Sequence, residues 1–188
     1  KRNRGTTMTD ANQLKEKLEA LGVSHAAVIP VSNIPFDRRL RESCEANRCG
    51  AYGTNWACPP LCGEIDELIA QAKTYQTAVV FQNIYQIDDS FDIEGMERAA
   101  RGHQEMLRRI HDDNTVMPQE GLLLGAGGCP YCERCAAADH EPCRFPGKAF
   151  ASLEAYGIFV SELAEAAGLK YINGVNTITY FGAILLKK

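Results

Sequence analysis

Residues 121–146 read GLLLGAGGCPYCERCAAADHEPCRFP, a stretch that joins a short apolar segment to a dense group of cysteines. The apolar segment, residues 121–125, is bounded by glycines and predicts a β-strand. The segment after it carries Cys129, Cys132 and Cys135 in the pattern C-x2-C-x2-C, and Cys143 follows. Three thiolates presented by so short a loop favour a polynuclear iron-sulfur cluster over a single metal ion.

The spacing of these cysteines is close to a known cluster-binding pattern. Small bacterial-type ferredoxins carry the same C-x2-C-x2-C loop, with a fourth cysteine after a gap of three residues. Here seven residues separate Cys135 from Cys143. We predict a [4Fe-4S] cluster held by Cys129, Cys132, Cys135 and Cys143. The alternative is a zinc site in which three cysteines and either Cys143 or His140 complete a tetrahedron.

A second group of cysteines lies earlier in the chain and comprises Cys44, Cys49, Cys58 and Cys62. Its pattern, C-x4-C-x8-C-P-P-x-C, is looser than that of zinc fingers or ferredoxins, but glycines and prolines indicate a turn-rich loop able to bring distant thiols together. The group indicates a second [4Fe-4S] cluster, a structural zinc site or a set of redox-active thiols. Tyr52 and Trp56 are interpreted as shielding the site from water.

Composition limits the class of protein. The chain has 188 residues, of which 45% are apolar, enough for one domain with a core that needs no cross-links. We predict a single domain over residues 8–188 and interpret residues 1–7, which precede Met8, as an expression remnant or a disordered start. The sequence contains neither a membrane-span pattern nor a signal-peptide pattern, so we expect a cytoplasmic protein whose eight cysteines are thiols or metal ligands rather than disulfides.

Charge bears on the partners. The formal net charge is −4 and the sequence pI is about 5.6, which disfavours nucleic acid as a partner; a membrane is not expected either. Two four-thiolate clusters would add about −2 each and bring the net charge to about −8. We therefore expect a redox partner protein with a basic docking surface.

Helical and strand patterns alternate along the chain. Four amphipathic helices are predicted: one ending at Gly22, one over residues 65–72, one over about 93–111, and one starting near Ser152 and ending at Gly168. Strands are predicted at residues 26–31, 77–87, 121–125 and 177–186. The predicted fold class is α/β, with α+β as the alternative. It has one sheet of about four or more strands covered by helices and two cysteine-rich metal-binding loops.

Two of these helices carry specific expectations about side chains. In the third, an apolar stripe formed by Ile93, Met96, Ala100, Leu107 and Ile110 is expected to face the core. His103 and His111 are assigned to its polar face. In the fourth, the stripe is expected to run without interruption through Leu153, Tyr156, Val160, Leu163 and Ala167.

Several segments, in fixed order, resemble the DUF2284 family of metal-binding proteins. They are residues 44–49, YGTNWACPP at 52–60, CPYCERC at 129–135, CRFP at 143–146 and LEAYGI at 153–158, and the resemblance covers nearly the whole chain after Met8. It implies metal binding, by iron-sulfur clusters, in microbes of largely anaerobic habit, without a settled reaction. The family pattern is regular at Cys44, Cys49 and Cys58 but varies at Cys62, which is therefore the weakest predicted ligand.

The variable position leaves the function open between three alternatives. A first site with only three cysteines would leave one iron open to water or a small ligand, where it acts as a Lewis acid. The chain is then an iron-sulfur enzyme. With four cysteines at each site it is an electron-transfer protein, and with zinc it is a structural or binding module without a redox role.

Overall fold

The structure is a computed structural model that describes residues 8–187, so the interpretation of residues 1–7 lies outside the described residues. Its centre is one four-stranded sheet in the order β1-β2-β4-β3, and every neighbouring pair is antiparallel. The strands are β1 (His25–Pro30), β2 (Thr77–Gln86), β3 (Leu122–Leu124) and β4 (Thr177–Leu186). The predicted mixed α/β fold with one sheet of about four strands is confirmed.

Among the described residues, five helices accompany the sheet: α1 (Met8–Ala20), α2 (Leu40–Glu45), α3 (Ile65–Ala72), α4 (Ile93–Asp112) and α5 (Val160–Ala166). Short 3-10 helices lie at Val31–Asn33, Ala136–Asp139 and Glu154–Tyr156. Within residues 8–187, no helix has the length and apolar character needed to cross a lipid bilayer.

The two central strands are buried on both faces. Along β2, Val79 and Phe81 belong to a core cluster shared with α1 and α4, whereas Ala78 and Val80 belong to a second cluster shared with α3 and α5. A strand covered on both sides has no solvent face, which explains why residues 78–81 of β2 are all apolar instead of alternating with polar residues. The sheet is thus the middle layer between two helical layers.

The edge strand β3 leads directly into the later cysteine loop. Gly125, the first residue after β3, has no room for a side chain, because a Cβ there would lie 2.6 Å from Leu107 Cδ1. Its carbonyl accepts a hydrogen bond from the Leu153 N–H at 2.9 Å, and its N–H donates to the Ala151 carbonyl at 3.0 Å. The start of the loop is therefore fixed to α4 and to residues 151–153.

Two expectations about the helices are corrected. The fourth predicted helix begins only at Val160: residues 154–156 form a 3-10 turn, and Gly157 takes a left-handed φ of +71° beneath the Asp37 carbonyl. The buried stripe of α4 comprises Gly95, Ala99, His103, Leu107 and Ile110, whereas Ile93 is 68% exposed. His103 therefore lies on the buried face of α4, stacked on Tyr180 with ring centroids 5.1 Å apart.

Candidate metal centres

The first cysteine group is built from α2 and the loop that follows it. Cys44 lies in the last turn of α2, and Gly50 and Gly53 adopt the positive φ angles that reverse the chain after it. The Cys62 N–H donates to the Cys58 carbonyl at 3.0 Å, which holds these two cysteines within one helical turn of each other. The loop thus brings cysteines that are 18 positions apart onto the same side of the structure.

The electrostatics of the thiols shows that this group is compact. Burial and, after it, the nearby thiols of Cys62, Cys49 and Cys44 together raise the pKa of Cys58 to about 12. Burial also raises the pKa of Cys44 and of Cys62. Cys62, the weakest ligand predicted from sequence, therefore lies with the other three and packs against the core cluster beside α3.

The second cysteine group surrounds one cavity. All four of its members line the cavity together with aromatic and basic side chains: Cys129, Cys132, Cys135, Cys143, Trp56, Tyr131, Phe145, Arg144 and Lys148. Burial raises the pKa of Cys129, and the thiols of Cys135, Cys132 and Cys143 raise it further. Among the described residues that line this cavity, Cys143 is present and His140 is not; His140 is exposed at the end of a 3-10 turn.

Hydrogen bonds from outside and inside the loop hold its shape. Gln104 of α4 donates from Nε2 to the Ala126 carbonyl at 2.5 Å, just before the first cysteine of the group. Arg144 donates from Nη1 to the Arg134 carbonyl at 2.8 Å, which joins the segment around Cys143 to the C-x2-C-x2-C segment. This bond connects the two ends of the seven-residue gap between Cys135 and Cys143, which is longer than the three-residue gap of ferredoxins.

The two cysteine groups are in direct contact. The backbone N–H of Trp56, from the first loop, donates to Cys135 Sγ at 3.5 Å, and the indole Nε1 donates to the Glu141 carbonyl at 3.2 Å. Cys135 also contributes to the raised pKa of Cys58. Trp56 was expected to shield its own loop, but the structure places it against the second group.

Asn55 strengthens this contact between the loops. Its Oδ1 accepts from the Ala57 N–H at 2.9 Å and, at a longer 3.5 Å, from the Cys129 N–H. Gly128 lies directly against the Asn55 amide, since a Cβ at that position would be 2.8 Å from Nδ2. One side chain therefore spans both loops, and a glycine on the second loop makes room for it.

A polar network borders the second group on the side of α4. The Tyr131 hydroxyl donates to Asp112 Oδ1 at 2.8 Å and lies 2.9 Å from His111 Nδ1, while Lys148 Nζ lies 2.5 Å from the same Asp112 oxygen. Burial and the adjacent Asp112 carboxylate raise the pKa of Tyr131. The network keeps Tyr131 against the wall of the cavity.

The donor set is rich in thiols, and those of the second group are arranged around a cavity. In residues 8–187, no three His, Cys, Asp or Glu side chains are gathered closely enough to hold a single metal ion. The groups able to ligate metal here are the eight cysteine thiols, which lie in two adjacent sets of four. Sequence reasoning grouped these thiols but missed Asn55, Tyr131 and Arg41, because residues of these types occur on any protein surface.

The mixed α/β fold and its two cysteine groups define a thiol-rich protein of the metal-binding class. The chain belongs to the DUF2284 family, described as predicted metal-binding proteins, whose family model matches residues 27–186. That match includes both cysteine groups and helices α2 to α5. It also includes the whole sheet apart from the first two residues of β1. Searches of curated proteins and of solved structures found no significant match.

Proposed function

We propose that this chain is a two-centre iron-sulfur protein that transfers electrons in the cytoplasm. Cys129, Cys132, Cys135 and Cys143 would hold one [4Fe-4S] cluster, and Cys44, Cys49, Cys58 and Cys62 would hold the other. The observation that carries the proposal is the cavity lined by all four cysteines of the second group and covered by Trp56.

The chemistry of the donor set supports iron-sulfur clusters as the bound groups. Thiolates in a C-x2-C-x2-C loop are the usual ligands of [4Fe-4S] clusters. The Trp56 N–H donates to Cys135 Sγ. A hydrogen bond of this kind offsets negative charge on a ligand sulfur and helps to set the reduction potential of the cluster. A bound cluster would supply one-electron transfer. The chain itself would supply eight thiolates, a partly buried environment and a hydrogen-bond donor to sulfur.

The contact between the loops favours electron transfer as the role. Cys135 of the second group lies close enough to Cys58 of the first to raise its pKa, so two clusters held by these residues would be neighbours. An electron accepted at one centre would then pass to the other within the protein. The acidic chain would receive it from, or deliver it to, a partner protein with a basic docking surface.

The test is the metal content of protein purified without oxygen. We expect brown protein with close to eight irons and eight acid-labile sulfides per chain, and an EPR signal after reduction. C132S is expected to lose about half of the iron and C58S the other half, because each removes a ligand from one centre. H140A is the matched control and is expected to keep all of it, since His140 is exposed and outside the cavity.

Two other results would overturn the proposal in different ways. Colourless anaerobic protein with stoichiometric zinc would assign the chain to the zinc-stabilised alternative. Full iron content in C62S, with a cluster EPR signal that cyanide alters, would assign the first centre three cysteine ligands and an open iron. In the electron-transfer protein, C62S loses the first cluster as completely as C58S does, and cyanide leaves the EPR signal of the wild type unchanged.

A further inference from the structure

Arg41 is a buried arginine whose charge is not matched by a carboxylate. It lies on α2 and is 8% exposed, with Nη2 donating to the Gly63 carbonyl at 3.1 Å and to the Ala155 carbonyl at 3.4 Å. Its buried Nε has no hydrogen-bond partner, and within the described part of the chain no carboxylate forms an ion pair with it. A buried guanidinium without a counter-charge is costly, so its environment calls for a negative group.

Glu42, Glu45 and Glu64 line a surface pocket with Arg41 but form no ion pair with it within the described part of the chain, and two cysteines of the first group lie beside it as well. Cys44 is one turn further along α2, and Cys62 precedes Gly63, whose carbonyl Arg41 binds. Once metal replaces the thiol protons, the two thiolates supply the negative charge that the guanidinium lacks.

The neighbouring arginines show that this placement is particular to Arg41. Arg38 is exposed and paired with Asp66 at 3.1 Å, and Arg39 is exposed and paired with Asp37. Both arginines satisfy their charge at the surface. Arg41 alone of the three is buried, and it binds the carbonyl of the residue that follows Cys62.

We propose that Arg41 is the positioning residue that compensates the charge of the first centre and raises its reduction potential. This inference rests on the proposed iron-sulfur function. A four-thiolate [4Fe-4S] centre changes its net charge from about −2 to about −3 when it gains one electron, with no proton taken up. A fixed positive charge in a partly buried site stabilises the reduced centre, at about −3, more than the oxidised centre, at about −2. It therefore favours the reduced form.

The experiment is a potentiometric titration of anaerobically purified, iron-loaded protein. Dithionite supplies the electrons and is itself oxidised to sulfite, while visible absorption and EPR follow the two centres. The variants are R41Q, which removes the charge, and R41K, which keeps it; R38Q removes the same unit charge from an exposed position on the adjoining turn. Iron and sulfide are measured in every sample.

In R41Q, the ratio of reduced to oxidised centre at a given potential is expected to fall at least tenfold for one of the two reduction steps. That shift is about 59 mV for one electron. The other step in R41Q, and both steps in R41K and R38Q, should stay within about threefold of the wild type. If R41Q does not load the first centre, R41K is expected to load it, because the charge rather than the shape of the side chain is required.

Two results would overturn the role of Arg41. One is a shift of less than threefold in both steps of R41Q. The other is equal loss of iron from R41Q and R41K, which would assign Arg41 to holding Gly63 and Ala155 through hydrogen bonds alone. Neither result touches the proposed function, which is tested separately by the iron and sulfide content of the wild type and by the response of C62S and of the EPR signal to cyanide.

Discussion

Replacement of Asn55 by alanine tests whether the two cysteine loops depend on each other. Asn55 Oδ1 accepts hydrogen bonds from the N–H groups of Ala57 and Cys129, and Ala57 is only 2% exposed. N55A leaves the buried Ala57 N–H without an acceptor, which costs roughly 1–3 kcal/mol. The 3.5 Å contact with Cys129 adds little, because it lies at the long end of the hydrogen-bond range.

That free energy is expected to appear as early opening of the first loop, because Asn55 and Ala57 both lie in it, and with it the loss of the Trp56 contact to the second loop. A cost of roughly 1–3 kcal/mol corresponds to an increase of about 5- to 150-fold in the fraction of molecules with the first loop open. Trp56 is the only tryptophan of the chain and lies between the two loops, so its fluorescence reports their contact. In anaerobic urea titrations, the N55A transition seen by fluorescence should move down by at least about 0.5 M.

The refuting result is defined by a second probe and by a double-mutant cycle. Far-UV circular dichroism follows the sheet and helices, and in N55A its transition should shift less than the fluorescence transition; N33A, at an exposed asparagine, should shift neither. G128A alone should also separate the loops, because its Cβ would lie 2.8 Å from Asn55 Nδ2. Coincident transitions in N55A, or additive effects of N55A and G128A, would show that Asn55 does not join the loops.

Two further predictions concern the core. G182A should lower the free energy of unfolding by roughly 1–3 kcal/mol in a urea titration, because the new Cβ would collide with the Phe81 ring and lie 3.1 Å from the Leu124 carbonyl. His103 has its pKa lowered from 6.5 to about 4 by burial, so only the unfolded chain binds a proton there between these values. The free energy of unfolding contributed by this group is fully present above about pH 6.5 and falls by about 3 kcal/mol as the pH is lowered toward about 4. H103F, which keeps a ring stacked on Tyr180, should lack that part of the pH dependence in urea titrations at several pH values.

The strands were predictable from sequence to within one or two residues because burial on both faces demands a long apolar run. The 177–186 run coincides with β4, and the 77–87 run ends one residue beyond β2. The fourth helix was predicted too long because periodicity ignores backbone conformation. Gly157 lies in the middle of the predicted apolar stripe. Its left-handed φ ends the 3-10 turn at residues 154–156, and α5 begins only after it.

Small and polar residues explain the other errors. The buried stripe of α4 contains Gly95, Ala99 and His103, which carry little hydrophobic signal, so the apolar pattern identified Leu107 and Ile110 correctly but wrongly included the exposed Ile93 and left out His103. The six-residue helix α2 is too short to show a period, although it carries Cys44. Arg41 could not be distinguished from Arg38 by sequence, because only the fold decides which arginine of the segment is buried.

The cysteine groups could be recognised from spacing, but their contact could not, because it depends on which core each loop packs against. Cys62 packs against the cluster that α3 and α5 share, and Tyr131 packs against the cluster that α1 and α4 share. The sheet separates these two clusters. The loops therefore approach from opposite faces of the sheet and meet where the Trp56 N–H reaches Cys135 Sγ. Each loop is therefore anchored in a different core, and their contact joins elements that pack on the two faces of the sheet.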